Sequence, residues 1–230
     1  MKVEIWSDVA CPFCWIGKHH FERAVEQMKL NDLDVKWKSF ELDPYAKQDY
    51  EEDIYTLLAN KYGQTRELAI NSAEYMKHRG KDIGLEFNLD DTISTNTFNA
   101  HRLIQLAKSK GLQNEAEEAL FEAYFREGRH IGDPNTLLEI GQEIGIQKSE
   151  IEKMLNSDLF ANDVRADEQL SQQFGIKGVP FFIIDRKYGI SGAQPIEHFV
   201  DVLKKAQSDE APTIANNENA DHTCTIDGCD

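Results

Sequence analysis

The sequence lacks the features that mark several large classes of protein. It has only four cysteines in 230 residues, and its apolar runs are much shorter than a membrane span. It also lacks any cluster of Lys and Arg residues. A transmembrane helix needs about 20 consecutive apolar residues, and a nucleic-acid surface needs a basic patch. We therefore expect no membrane-spanning segment and no nucleic-acid partner.

The composition is that of an acidic protein with enough apolar residues for a core. Asp and Glu number 41 against 25 Lys and Arg, a formal net charge of −16 that mainly favours solubility. A hydrophobic content of 40% and a length of 230 residues suit one elaborated domain or two small ones. The first residues show no signal-peptide pattern, so we expect a cytoplasmic protein, in which disulfides are usually catalytic or sensing. The mature form of a secreted protein would begin in the same way.

A Cys-x-x-Cys motif, Cys11 to Cys14, is the feature on which the functional argument depends. It follows a short apolar run, residues 3–6, that is typical of a strand, and it precedes an amphipathic helical pattern. Pro12 suits the first position of a helix, because its φ angle is already set and its missing amide needs no partner there. These signals predict that Cys11 lies at or just before the helix N-cap, with Cys14 one turn inside the helix.

This position predicts a redox-active dithiol. The free amides and the dipole at a helix N-terminus stabilise a thiolate, so we expect the Cys11 thiol to have a lowered pKa and to act as the nucleophile. Cys14 is then the resolving thiol. Two alternatives stay open, because Cys-x-x-Cys is also half of many zinc sites and buried cysteines are often inert.

The remainder of the chain alternates between strand-like and helical patterns. Residues 35–42 predict a second strand, and residues 50–174 carry the helical periodicity of a compact helical block. Residues 181–184 and 188–191 predict a hairpin, and a last helix follows Pro195. Glycines are predicted to end the helices of the block, namely Gly63, Gly80, Gly111, Gly128 and Gly145. The order of elements predicts an α/β protein with a thioredoxin-type core that is interrupted in the middle.

A proline before the hairpin supplies the second site motif. Gly178-Val179-Pro180 directly precedes the strand that begins at Phe181, where a proline need not donate to the ladder. Pro180 is either an ordinary proline at the start of a strand or a cis-proline, and the residues alone leave both interpretations open.

Together these motifs resemble the DsbA family of thiol oxidoreductases. The segments Ser7–Lys18, Asn96–His101 and Ile190–Gln194 resemble its FrnE-like branch more closely, and the resemblance covers about residues 1–207. It implies a thioredoxin fold interrupted by an inserted all-α helical domain. The implied parts are a thioredoxin-like domain of residues 1–45 and 176–207, a helical insertion of residues 46–175, and an acidic tail of residues 208–230.

The resemblance also assigns roles to the site residues. It implies that Cys11 attacks a disulfide and that Cys14 resolves the mixed disulfide. It implies that Pro180 is cis and lies against the dithiol. It further implies that Val179 offers its backbone to a bound peptide.

The dipeptide between the cysteines departs from the best-known DsbA pattern. Pro12-Phe13 contains no histidine, so the imidazolium that could stabilise a thiolate is missing. We therefore expect a disulfide that is less oxidising than that of a periplasmic DsbA. Phe13 and Trp15 are expected to form a partly exposed apolar rim for peptides, although Trp15 also suits the core. Asp8 is expected to cap the turn before the motif rather than to accept a proton.

A second cysteine pair lies in the acidic tail. Cys224 and Cys229 are separated by four residues, and Gly228 would let the chain close a small disulfide. We expect this pair to exchange with the Cys11–Cys14 disulfide as an electron relay, and some FrnE-like proteins have a similar second pair. The alternatives are two incidental thiols, or a four-thiolate metal site made by both pairs.

The sequence thus predicts a thiol–disulfide oxidoreductase or isomerase that acts on protein disulfides. Its expected partners are protein or peptide thiols and disulfides, with glutathione or a thioredoxin system to recycle the site. Neither a dissociable cofactor nor a resident metal is expected. A glutathione-dependent isomerase or kappa-type glutathione transferase is a rival with a similar architecture, although such proteins usually lack the second cysteine. A zinc-binding or redox-sensing module without turnover is the third alternative.

Overall fold

The structure, a computed structural model, describes residues 1–208 and the backbone of residues 224–225. The chain divides into two units, one made of Met1–Leu42 with Glu168–Asp230 and the other of Asp43–Asp167. The first unit is therefore discontinuous in sequence, and the second is inserted between its two segments. The domain boundaries expected after residues 45, 175 and 207 stay a prediction.

The first unit is built around a mixed sheet. The strands described are β1 (Lys2–Ser7), β2 (Asp34–Ser39), β3 (Gly178–Val179), β4 (Phe181–Ile184), β5 (Tyr188–Ser191) and β6 (Cys224–Thr225). Four of them form a sheet in the order β2-β1-β4-β5, in which β1 is parallel to β2 and antiparallel to β4. The predicted hairpin is confirmed, and it turns through Asp185 and Arg186 at φ angles of 49° and 53°. Such left-handed residues match the twist of a tight hairpin.

Two helices of this unit, α1 (Pro12–Met28) and α9 (Ile196–Gln207), form the core together with the sheet. Their aromatic side chains meet at β4, where Phe182 lies 5.7 Å from Phe21 and 4.8 Å from Phe199 between ring centroids. All three rings are buried, and burial of one such side chain is worth about 1.5–3 kcal/mol. The α1 helix makes the crossover that a parallel β1–β2 pair requires. The predicted α/β thioredoxin fold with a helical insertion is confirmed.

The second unit is helical, as the periodicity of residues 50–174 predicts. Its helices are α2 (Ile54–Tyr62), α3 (Arg66–Asp82), α4 (Phe98–Lys108), α5 (Gln113–Phe121), a π-helical turn (Glu122–Arg126), α6 (Pro134–Glu143), α7 (Lys148–Leu155) and α8 (Ala161–Gln173). The last of these continues into the first unit. Asp133 caps α6, because its Oδ1 accepts the amides of Asn135 and Thr136. None of the helices within residues 1–208 is long and apolar enough to cross a membrane.

One predicted helix end in this unit is wrong. Gly80 does not stop a helix, because α3 continues through it to Asp82. A Cβ atom at Gly80 would lie only 2.4 Å from two ring atoms of Phe87. The glycine is therefore explained by the close approach of an aromatic ring to the helix rather than by a turn. A glycine inside a helix costs about 1 kcal/mol relative to alanine, and the burial of Phe87 offsets that cost.

Candidate active site

The Cys-x-x-Cys motif lies where β1 passes into α1. Cys11 is the N-cap residue, with φ −99° and ψ 111°, and Pro12 occupies the first turn of the helix. The Cys11 amide donates to the Asp8 carbonyl at 3.0 Å, and the Cys14 amide donates to the Cys11 carbonyl at 3.0 Å. This placement is the one predicted from Pro12. Both cysteines are free thiols and therefore form a dithiol one helical turn apart.

The second motif meets the first across the fold. The Val179–Pro180 peptide bond is cis, and the Cys11 Sγ donates to the Val179 carbonyl at 3.7 Å. The sheet explains the contact, because β4 is antiparallel to β1 with Phe181 opposite Trp6. The residues just before β4 therefore lie beside the residues just after β1. Two motifs that are 168 positions apart in the sequence become one site.

Gly17 is a site residue whose role the sequence reasoning missed. A Cβ atom at Gly17 would lie 2.9 Å from the Pro180 Cγ and 3.4 Å from the Phe182 Cζ. Gly17 also lies one turn after Cys14 on α1, so the helix face that carries the dithiol is the face that Pro180 approaches. The sequence did contain a signal, because a glycine inside a regular helical pattern usually marks a close contact with a neighbouring group.

The environment of Cys14 separates the roles of the two thiols. Cys14 exposes only 1% of its surface. Burial is the largest cause that raises the pKa of the Cys14 thiol well above its usual range, and the hydrogen bond and charge of Cys11 act in the same direction. The Asp8 backbone and the Ser7 hydroxyl oppose the shift only in part. Cys14 therefore holds its proton at neutral pH, as a resolving thiol does before the mixed disulfide forms.

Asp8 fixes the turn that leads into the dithiol. Its Oδ2 accepts the Leu42 amide at 2.7 Å, and its Oδ1 accepts the Ala10 amide at 3.2 Å. The carboxylate, which is only 1% exposed, thus joins the segment after β2 to the turn before Cys11. This geometry agrees with the capping role expected from the sequence.

The expectation of an exposed aromatic rim is wrong, and the alternative that Trp15 belongs to the core is confirmed. Phe13 is 6% exposed and Trp15 is 2% exposed, so both rings are buried. The Trp15 ring packs edge-on against His19, one turn further along α1, with 6.3 Å between ring centroids. The first turns of α1 are buried on nearly every side, from Phe13 to Lys18. An aromatic residue in such a segment belongs to the packing rather than to an exposed rim.

Part of the tail also reaches the site. The backbone of β6 is antiparallel to β3, with Cys224 opposite Val179 and Thr225 opposite Gly178. Cys229 lies outside the described residues. The tail strand therefore pairs with the residue whose carbonyl accepts the Cys11 thiol.

No cluster of three or more His, Cys, Asp or Glu residues able to hold a metal ion occurs in the part of the chain that the structure describes. The four-thiolate alternative needs Cys229 and the side chain of Cys224, which fall outside that part. The alternative therefore stays open.

Comparisons with known proteins agree with this geometry. A model of the DSBA-like thioredoxin domain matches residues 2–204. The crystal structure of a probable DsbA oxidoreductase from Streptomyces coelicolor is 36% identical, with a TM-score of 0.87, and the match covers 100% of this chain and 98% of that one. The uncharacterized protein YwbO of Bacillus subtilis (strain 168) is 28% identical over 218 residues, which are 91% of this chain and 97% of that protein.

A more distant structure shows likeness of fold alone. The cytosolic disulfide reductase DsbM from Pseudomonas aeruginosa, in a structure with GSH, is 17% identical, with a TM-score of 0.63. The match covers 90% of this chain and 100% of that one. Because the domain model spans nearly all of the two-unit chain, the protein belongs to the DSBA-like thioredoxin domain family.

Proposed function

We propose that the protein is a thiol–disulfide oxidoreductase that acts on protein or peptide disulfides. The observation that carries the proposal is the position of Cys11 at the N-cap of α1, with its Sγ 3.7 Å from the carbonyl of Val179. A thiol at a helix N-terminus is activated, and the adjoining backbone can hold an extended peptide. Within the family we assign the chain to the FrnE-like branch, on the motifs described above.

The reaction consists of two thiol–disulfide exchanges. The Cys11 thiolate attacks one sulfur of the substrate disulfide, forms a mixed disulfide and releases the other substrate sulfur as a thiolate. Cys14 then loses its proton and attacks the Cys11 sulfur, which forms the Cys11–Cys14 disulfide and releases the second substrate thiol. The substrate gains two electrons and the site loses two. The reverse sequence oxidises a substrate dithiol.

The raised pKa of Cys14 suits this order of events. While Cys14 holds its proton, Cys11 is the better nucleophile for the first attack. Reduction of the Cys11–Cys14 disulfide then requires another thiol. We assign that role to glutathione or to a thioredoxin system in the cytoplasm. No dissociable cofactor takes part in either exchange.

The tail pair is a second source of thiols in this proposal. One tail thiolate, from Cys224 or Cys229, attacks the Cys11–Cys14 disulfide and forms a mixed disulfide. The other tail thiol resolves it, which leaves a Cys224–Cys229 disulfide and a reduced site. The pairing of the Cys224 backbone with Val179 supports the relay, because it holds this segment of the tail at the edge beside Cys11.

The test is a Cys14→Ser variant expressed in cells. Without the resolving thiol, we expect Cys11 to accumulate mixed disulfides with proteins, which are released by dithiothreitol and identified by mass spectrometry. Cys11→Ser is the matched control and should trap nothing. Insulin reduction and refolding of scrambled ribonuclease by the unmodified protein provide the turnover assays.

The rival functions give different results in the same experiments. A glutathione-dependent isomerase or transferase would show activity on small electrophiles with glutathione, and would neither reduce insulin nor refold ribonuclease. A metal-binding module would contain one tightly bound zinc ion per chain in a trace-metal assay. A Cys224→Ser/Cys229→Ser variant tests the relay, because turnover with the reductant should fall only if the tail thiols carry electrons.

A further inference from the structure

The short strand β3 presents backbone groups at an edge that lies beside the nucleophile. It consists of Gly178 and Val179 alone and stands outside the four-stranded sheet. Strand addition to such an edge depends mainly on main-chain hydrogen bonds, so it tolerates many sequences. A peptide disulfide that adds to β3 is placed next to Cys11, because the Val179 carbonyl is the acceptor of the Cys11 thiol.

This edge is already occupied in the structure. The chain's own β6 pairs with both residues of β3, with Cys224 opposite Val179 and Thr225 opposite Gly178. An edge two residues long accommodates one partner strand at a time. A peptide that uses the same edge must therefore displace β6.

The burial of the site agrees with an occupied edge. Cys11 and Val179 expose 0% of their surface, and Cys14 exposes 1%. A sulfur atom must be reachable before it can attack a protein disulfide. The described arrangement therefore corresponds to a state that excludes large substrates from Cys11.

We propose that the C-terminal segment at Cys224–Thr225 is a built-in competitor of peptide substrates for the Gly178–Val179 edge. The competitor acts through its backbone, so its effect does not need the thiols of the tail. The electron relay, by contrast, needs those thiols. The competition rests on the proposed function in one respect, which is that the displaced partner is a peptide substrate.

The size of the effect follows from the tether. Only 15 residues, 209–223, connect Ser208 to Cys224. A ligand held on a short linker competes at an effective concentration that reaches about the millimolar range. If that concentration exceeds the local dissociation constant about tenfold, the apparent affinity for an external peptide falls about tenfold.

The test measures peptide binding without any redox chemistry. The probe is a fluorescein-labelled synthetic peptide with the sequence of residues 220–230, in which serine replaces both cysteines, and the readout is fluorescence anisotropy. The proteins are the full chain, its Thr225→Pro variant and its Cys224→Ser/Cys229→Ser variant. The Thr225→Pro change removes an amide donor from β6 and lies outside the four-stranded sheet, so circular dichroism and thermal unfolding should match those of the unmodified protein.

We expect the Thr225→Pro protein to bind the probe about tenfold more tightly than the full chain. The Cys224→Ser/Cys229→Ser protein should bind it as weakly as the full chain, because its backbone still pairs. Equal binding by the full chain and the Thr225→Pro variant would overturn the proposal, as would a failure of every protein to bind. Tight binding after loss of the thiols would also overturn it, because the thiols rather than the backbone would then occupy the site.

A kinetic comparison separates this competition from a general change in the site. Removal of the pairing by Thr225→Pro should lower KM for a peptide disulfide about tenfold. It should leave kcat for that substrate unchanged, because the competitor no longer occupies the edge once the substrate is bound. A change in kcat would contradict competition at the strand edge. The anisotropy measurement does not depend on catalytic turnover. A failure of the proposed oxidoreductase activity and a failure of the competition at β3 are therefore distinguished.

Discussion

A single methyl group at position 17 should disturb both the stability and the substrate edge of this protein. In Gly17→Ala, the new Cβ atom would lie 2.9 Å from the Pro180 Cγ. Carbon atoms in contact prefer about 3.5–4.0 Å, so the helix and the proline must separate by roughly 0.6–1.1 Å. The Pro180 ring is bonded to the backbone at two points and cannot rotate away. The movement must therefore come from the backbone of Pro180 or from α1.

The free energies involved decide the sign of the effect. Overpacking of a buried site typically costs about 1–3 kcal/mol. Replacing a helical glycine by alanine returns about 1 kcal/mol. We expect a net destabilisation of up to about 2 kcal/mol, which lowers the Tm by up to roughly 8 °C for a chain of this size. Without the contact to Pro180, the same change would raise the Tm.

Thermal unfolding and two kinetic assays test this prediction. A shift of Pro180 also moves the adjoining Val179 carbonyl relative to Cys11, so kcat/KM for a peptide disulfide should fall about tenfold to a hundredfold. Reaction with a small disulfide should change little, because it needs no strand edge. Arg23→Ala, at an exposed position of the same helix, is the matched control. A Gly17→Ala protein that is more stable than the unmodified protein and equally active on peptides would refute the reasoning.

Three further predictions concern the dithiol and its surroundings. Asp8→Ala should lower the free energy of unfolding in urea by about 1–3 kcal/mol, because the Leu42 amide loses its acceptor. Asp8→Asn keeps an acceptor and should therefore cost much less. Equal losses in the two variants would contradict the capping role. Because the pKa of Cys14 is raised in the folded protein, the unfolded chain loses the Cys14 thiol proton at a lower pH than the folded protein does. The free energy of unfolding of the reduced protein should therefore decrease by up to about 1.4 kcal/mol per pH unit above about pH 8.5. The disulfide form has no Cys14 thiol to titrate. An equal dependence of the free energy of unfolding on pH in both forms would therefore contradict the raised pKa of Cys14. Phe13→His should raise the reduction potential measured against glutathione, because an imidazolium beside Cys11 stabilises the thiolate and hence the reduced form. The rise is about 30 mV for each 1.4 kcal/mol of that stabilisation, and an unchanged or lower potential would contradict the expected effect.

Local sequence signals were sufficient for the helix start and the hairpin. Pro12 fixed the first turn of α1, because a proline at that position has few alternatives. The hairpin followed from two apolar runs joined by a short polar segment, Asp185–Lys187. In each case the residues that determine the structure lie within a few positions of one another.

The long-range contacts could not be predicted in the same way. Whether Gly80 ends a helix or admits a ring depends on Phe87, whose position is set by the packing of the second unit. The exposure of Phe13 and Trp15 depends on how completely the first turns of α1 are covered, which helical periodicity does not report. Nothing in a sequence pattern shows that the methylene groups of Pro180 approach Gly17.

The pairing of the tail with β3 is the clearest limit of the sequence. Spacing and composition indicated a second thiol pair in an acidic segment, but they carry no information on register. A strand of two residues has too little periodicity to be recognised. Its pairing depends on the fold, which places Gly178 and Val179 outside the four-stranded sheet and opposite Thr225 and Cys224.

The separation of Cys11 from Val179 along the chain has a consequence for newly made molecules. At about 5–20 residues per second, the ribosome needs roughly ten to thirty seconds to add the residues between them. During that interval β1 has no β4 beside it, and the burial that raises the pKa of Cys14 does not yet exist. The nascent chain thus presents Cys14 without that burial, before it has an edge to hold a peptide. A disulfide between Cys11 and Cys14 that forms in this interval therefore forms without the contact between the Cys11 sulfur and the Val179 carbonyl.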